Sequence, residues 1–296
     1  FGPVLGVMRA QSIEHAIELA NATGYGLTAG LASLDEREIA LFCERMRAGN
    51  LYINRTTTGA IVQRQPFGGI GKSGFGPGAK AGGPNYVAQL CRLREREGPR
   101  ARVREALPEQ VEARVIALES TLSGDDAREL RARAHDFSRV QREHFAREHD
   151  PAQVLGQHNR FRYLPCHEVL LRIEADARAL DIATCCLAAA LCAARLQISL
   201  DPAVHAFQDA ARLGFPVTVE RLEQLVSRAA RLGNRSRMRL LGTRSVLHDE
   251  LNAELGLHIA DEPVLARGRF ELLHYLTEQS LSHEYHRYGH VPQPAK

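Results

Sequence analysis

Residues 49–86 read GNLYINRTTTGAIVQRQPFGGIGKSGFGPGAKAGGPNY, a glycine-dense loop hung on the end of a short apolar strand at Leu51 to Ile53. Glycines let a backbone turn sharply and come close to a ligand with no Cβ in the way, which helices and ordinary turns do not require. The stretch therefore reads as a wall facing a ligand. Upstream of it, strand and helix alternate. Val4 to Met8 is expected as a strand, and Ser12 as the N-cap of a helix from Ile13 to Ala22 that Gly24 ends. Leu27, Ala29 and Leu31 then alternate with period two, and Asp35 with Glu38 makes a capping-box-like start to a helix reaching about Ala48. Such β-α-β-α-β order implies a parallel sheet with ligands beyond the carboxyl ends of its strands. The glycine loop leaves the third strand at that end.

The chain has 296 residues, room for about two domains, and its 44% hydrophobic content is that of an ordinary globular protein. No membrane span is expected. The longest apolar stretch, near Ile182 to Ala194, falls short of the roughly 20 residues a bilayer needs and reads as a buried helix. The 38 basic and 35 acidic side chains are interspersed rather than blocked, so no nucleic-acid footprint is expected. The six cysteines, Cys43, Cys91, Cys166, Cys185, Cys186 and Cys192, form no Cys-x-x-Cys pair and read as reduced thiols of a cytoplasmic protein.

From about Arg92 to Asp150 the composition shifts to Arg, Glu and Ala, as in a helical linker with partial packing. A second alternating series starts near Phe161. His167 to Ile173, Leu196 to Leu200, Val217 to Val219 and Met238 to Leu241 read as strands, and Ala177 to Ala194 and Arg221 to Leu232 as helices. Asp201 caps a further helix with Pro202 at its first position and Gly214 past its end. No Gly-x-Gly-x-x-Gly follows any of these strands, so the expectation is a Rossmann-like α/β domain that binds no nucleotide.

The sub-pattern TTTGAIVQRQPFGG, followed by GKSG and AGGPNY, resembles the C-terminal end of the aldehyde dehydrogenase catalytic domain. It is most similar to the branch that oxidises glutamate semialdehyde, the pyrroline-5-carboxylate dehydrogenases. FGPVLGV and NATGYGLTAGLASLD resemble the same superfamily, so the likeness runs from Phe1 to about Leu90. The last stretch, ARGRFELLHYLTEQSLSHEYHRYGHV, resembles the terminal segment of the long forms of the proline utilization A family, bifunctional flavoenzymes that join proline dehydrogenase to glutamate semialdehyde dehydrogenase.

The resemblance implies an α/β fold: the end of an aldehyde dehydrogenase catalytic domain over 1–91, a helical linker over 92–160, a Rossmann-like domain over 161–265 and a lid segment over 266–296. It implies NAD as the cofactor, with FAD confined to an upstream proline dehydrogenase region. The small-molecule aldehyde and the upstream domains of the same polypeptide are the implied partners, and a homo-oligomer is left open. Thr58, Gly59 and Ala60 fall where the family anchors the substrate carboxylate. Phe67 falls on the aromatic that packs on its aliphatic part, and Phe1 on the residue at the nicotinamide end of the cofactor. The chain opens Phe-Gly-Pro with no methionine or leader. The family's nucleophile and general base are accordingly expected upstream, and this piece alone is expected to be inactive. Two alternatives stay open: an aldehyde dehydrogenase of another substrate class, and a non-catalytic assembly or lid module.

Several motifs are set aside. Gly69, Gly71 and Gly74 have dinucleotide spacing, but Gly76, Pro77 and Gly78 follow where a helix should begin. Gly71, Lys72 and Ser73 lack the leading glycine of a phosphate loop, since Pro66 stands there. His283, His286 and His290 invite a metal, yet the first two lie three apart rather than the four of a zinc-protease helix. No metal site is expected. Cys166 and His167, adjacent on a strand, would point to opposite faces.

Overall fold

The computed structural model describes residues 2–95, 106–204, 214–229 and 237–286. Its strands, in chain order, are β1 (Tyr25–Gly26), β2 (Thr28–Leu31), β3 (Asn50–Ile53), β4 (Ile70–Gly71), β5 (Gln157–Pro165), β6 (Val169–Ile173), β7 (Leu196–Leu200), β8 (Val217–Val219), β9 (Arg237–Leu241), β10 (Ile259–Ala260) and β11 (Leu276–Glu284). The described residues fall into two compact units, one from Phe1–Tyr86, His149–Phe161 and Gln279–Lys296, the other from Val87–Glu148 and Arg162–Glu278.

In the first unit local chemistry sets the helix ends. The Ser12 hydroxyl accepts from the His15 amide and starts α1 (Ile13–Ala22), and Gly24 turns the chain out at φ 76°. Asp35 accepts from the Arg37 amide and starts α2 (Glu36–Arg45). Glu38 does not close a capping box. Its carboxylate instead accepts from the Ser33 hydroxyl at 2.5 Å. Both helices lay apolar faces on the sheet, where Ile17, Ile39, Phe42, Leu51, Ile53 and Leu281 form one core.

The Arg37 side chain, then its amide, hold the Asp35 carboxyl at about 2, below its ordinary 3.8. Because the folded value is depressed, this cap's contribution is complete above pH 3.8 and is lost as pH falls through about 2. The protection factor of the Arg37 amide, its exchange rate relative to the intrinsic rate at the same pH, should therefore fall across that window, and Asp35→Asn should abolish the step. A protection factor flat through the window would refute the cap.

Val4 to Met8 does not form a strand. Those residues carry no regular structure, and Val4, Leu5 and Val7 are 92%, 86% and 83% exposed. Apolar alternation supplies a face, but a strand also needs a neighbour for its N–H and C=O groups, and none of the described residues pairs with this one. The first unit's sheet instead runs β2-β3-β11-β5. β2 and β11 flank β3, both parallel to it, with Ala29 and Leu281 each opposite Leu51. The terminal segment thus supplies an interior strand. Gln279, Ser280 and Ser282 of β11 are buried and polar, so no period-two apolar pattern announced it.

The second unit carries an all-parallel sheet of order β10-β9-β6-β7-β8. Numbered along the chain this is 3-2-1-4-5, the order of a doubly wound half, with its switch point between β6 and β9. A helix (Ala179–Leu191) joins β6 to β7; it is buried from Leu180 to Ala189 apart from Asp181, as its composition suggested. Helices Leu222–Ala229 and Val246–Leu255 follow β8 and β9. The helix expected after Asp201 lies mostly outside the described residues. Over 92–160, helices Glu109–Glu119 and Gly124–Val140 bury Val115, Leu118, Leu130 and Phe137 and belong to this second unit.

Candidate substrate-anchor loop

The chain leaves β3 through Asn54 at φ 57°, whose side chain accepts from the Ser33 amide at 3.0 Å and donates to the Ser33 carbonyl at 2.8 Å. Thr58, Gly59 and Ala60 then form an exposed turn, with Gly59 at φ 76°. A Cβ on Gly59 would meet no atom within 4 Å, so conformation rather than crowding makes glycine the fitting residue. Among the described residues the amides of these three donate no hydrogen bond, which leaves them open to an anion.

Beyond the turn the loop is fastened down. Gln65 and Pro66 are buried; the Asn50 side chain donates to the Pro66 carbonyl at 3.0 Å and accepts from the Gly68 amide at 3.2 Å. Phe67 is half-buried and its backbone exchanges two 2.9 Å hydrogen bonds with Ala81. No hydrogen bond or ring contact ties Phe67 to the 58–60 turn among the described residues. Lys80, fully buried, donates to the Gly68 carbonyl. Gly71 pairs antiparallel with Tyr25, and no helix begins in the residues directly after Gly74. The glycine spacing there therefore lacks the helix that a dinucleotide site requires. Phe1 lies outside the described residues.

Other candidates lie elsewhere. His283 sits on β11 with its ring 6.3 Å from that of His158, His286 lies against Gly156, and His290 is outside the described residues. Among the described residues no group of three or more His, Cys, Asp or Glu side chains is placed to hold a metal ion. Cys166 faces the Thr277 hydroxyl at 3.5 Å. Burial pushes the Cys185 thiol up to about 12 and that of Cys186 higher still, which makes poor nucleophiles of both.

At the switch point of the five-stranded sheet, the Thr243 amide and hydroxyl bond the Asp176 carboxylate at 3.0 and 2.6 Å. Gly242, at φ 101°, is packed so that a Cβ would lie 2.3 Å from that carboxylate. Glu174 is occupied by Arg172 and His248. A dinucleotide pyrophosphate would meet carboxylates where it needs free amides, so these residues do not fit NAD. Among the described residues no helix is long and apolar enough to cross a membrane.

The aldehyde dehydrogenase family model matches residues 1–95. Bifunctional protein PutA of Rhizobium meliloti is 52% identical over 92 residues, 30% of this chain and 7% of that protein. The 1-pyrroline-5-carboxylate dehydrogenase of Bacillus subtilis (strain 168) is 47% identical over 87 residues, 29% of this chain and 16% of that enzyme. The structure of proline utilization A from Corynebacterium freiburgense superposes with a TM-score of 0.73 at 36% identity, covering 98% of this chain and 26% of that one. The chain thus spans about a quarter of that solved relative and less of the curated ones. Residues 1–95 carry an aldehyde dehydrogenase family domain segment homologous to PutA and 1-pyrroline-5-carboxylate dehydrogenase, and nearly the whole chain is similar in structure to part of a proline utilization A.

Proposed function

We propose that this chain is part of an NAD-dependent L-glutamate γ-semialdehyde dehydrogenase of proline catabolism, in which Thr58, Gly59 and Ala60 bind the substrate carboxylate. The observation that carries this reading is the exposed Gly59 turn, whose three successive amides are free to bond an anion. Glutamate semialdehyde bears its α-carboxylate at the end remote from the aldehyde, so a carboxylate site selects this substrate over simple aldehydes. Phe67 packs on the aliphatic part, and Phe1 lies at the nicotinamide end of the cofactor. NAD takes the hydride when bound, and FAD belongs only to a proline dehydrogenase region, where the parent carries one upstream. The nucleophile and general base lie in the rest of the parent, so this chain alone does not turn over. The helices within 92–160 pack as part of a Rossmann-like domain over 161–265 that holds no nucleotide, and the 266–296 segment has a structural role, its strand β11 completing the sheet from which the anchor loop leaves.

The test is NADH production by the parent protein carrying Gly59→Val. A β-branched residue cannot hold φ 76° without strain, while the open space around Gly59 spares the fold. KM for glutamate semialdehyde should rise at least tenfold, with kcat/KM for propanal within twofold of wild type. Equal loss on both substrates, or no change on either, overturns the carboxylate assignment.

A further inference from the structure

The turn over residues 56–60 is held at both flanks by one buried polar node. On its far side the Ile61 amide donates to Gln65 Oε1 at 3.0 Å. On its near side Arg55 Nη1 donates to the Ser282 hydroxyl at 2.8 Å. Gln65 Nε2 in turn donates to Asn159 Oδ1 at 2.7 Å and to Ser282 Oγ at 3.2 Å, and Ser282 donates to Asn159 Oδ1 at 2.8 Å. Gln65, Asn159 and Ser282 are 2%, 1% and 0% exposed.

The polarity of this node leaves no freedom. Ser282 has one hydroxyl proton, which goes to Asn159, and its lone pairs face Arg55 and Gln65. Both amide protons of Gln65 are committed, and its single oxygen faces Ile61. Turning the Gln65 amide over would set its oxygen against Asn159 Oδ1 and its NH2 group against the Ile61 amide. A buried mismatch of that kind is costly, so the node has one arrangement and Arg55 and Ile61 have fixed places. Asn159 comes from β5 and Ser282 from β11, strands laid side by side in the first unit's sheet.

We infer that Gln65, Ser282 and Asn159 are positioning residues for the carboxylate-binding turn, so that the strand near the end of the chain sets affinity for the substrate without touching it. This inference rests on the reading of Thr58, Gly59 and Ala60 as the carboxylate site. Ser282→Ala removes the oxygen that Arg55 Nη1 bonds and leaves Arg55 only its Glu284 pair at 3.9 Å and its place over the Tyr52 ring. Gln65→Leu removes the acceptor of the Ile61 amide, while the Ile61 carbonyl still accepts from the Arg64 and Gln65 amides. Neither alters an amide of the turn itself.

The experiment measures NADH formation by the full parent protein as wild type, Ser282→Ala, Gln65→Leu and Gly59→Val, each on glutamate semialdehyde and on propanal. Both node variants should raise KM for glutamate semialdehyde at least fivefold, with kcat within twofold and propanal kcat/KM unchanged. If Gly59→Val raises that KM and Ser282→Ala does not, the positioning role is wrong and the carboxylate site stands. If Ser282→Ala lowers turnover of both aldehydes together, the node is merely structural and the inference falls. A wild-type parent indifferent to glutamate semialdehyde, or a Gly59→Val protein with unchanged KM, removes the carboxylate site and the inference with it.

Discussion

Glu271→Ala should lower the stability of the second unit by about 3–5 kcal/mol, the cost of leaving a buried charge without its partner. Glu271 is 0% and Arg239 1% exposed, and Arg239 Nε lies 3.5 Å from Glu271 Oε1. The other carboxylate oxygen accepts from the Leu265 amide at 2.9 Å, while Arg239 Nη1 donates to the Ala260 and Glu262 carbonyls. Removing the carboxylate strands a guanidinium in the core and orphans the Leu265 amide as well. An apolar pair of similar volume, Arg239→Met with Glu271→Leu, should recover the part of the loss that comes from the stranded guanidinium, while the Leu265 amide stays without its acceptor. The chain has no tryptophan, so urea unfolding is best followed by far-ultraviolet circular dichroism. A Glu271→Ala protein within 1 kcal/mol of wild type would show that the pair contributes little.

Gly49→Ala should cost about 3 kcal/mol, at the upper end of overpacking penalties, although only one methyl is added. That Cβ would stand 1.9 Å from the Gly68 carbonyl oxygen and 2.5 Å from Lys80 Nζ. Strand β3 cannot retreat, because the Gly49 amide donates to Gly26 at 2.9 Å and its carbonyl accepts from Ser280 at 2.9 Å. Gly68 must move instead, away from Asn50 and Lys80, and the 65–69 segment moves with it. The urea midpoint should drop accordingly. A variant as stable as wild type would mean that the close approach of these two backbones is not required.

Much of the fold was legible wherever apolar residues keep a regular period and polar residues punctuate it. Ser12, Asp35 and Gly24 stand at the helix ends they were expected to mark, and β2, β3 and β6 to β9 fall within two residues of their apolar runs. Two kinds of error remain, and they are mirror images. Val4 to Met8 has the apolar pattern of a strand but no partner among the described residues, whereas β11 has a partner on each side and no apolar pattern. A buried face satisfied by side-chain hydrogen bonds leaves no hydrophobic signature in the sequence. The candidate site divides the same way. Its turn was visible through Gly59 and the family pattern around it, but the node behind it joins Gln65 to Ser282 across 217 positions, and proximity of that kind exists only once the chain is folded.

The interior place of β11 has a consequence for biosynthesis. Ser282 bonds Arg55 across 227 positions of sequence, and β11 lies directly between β3 and β5. At a translation rate of about 5–20 residues per second, β3 would emerge from the ribosome at least ten seconds before the strand that covers it. Throughout that interval an apolar strand edge stands open to other nascent chains, and a ribosome that stalls late leaves the sheet split at its centre.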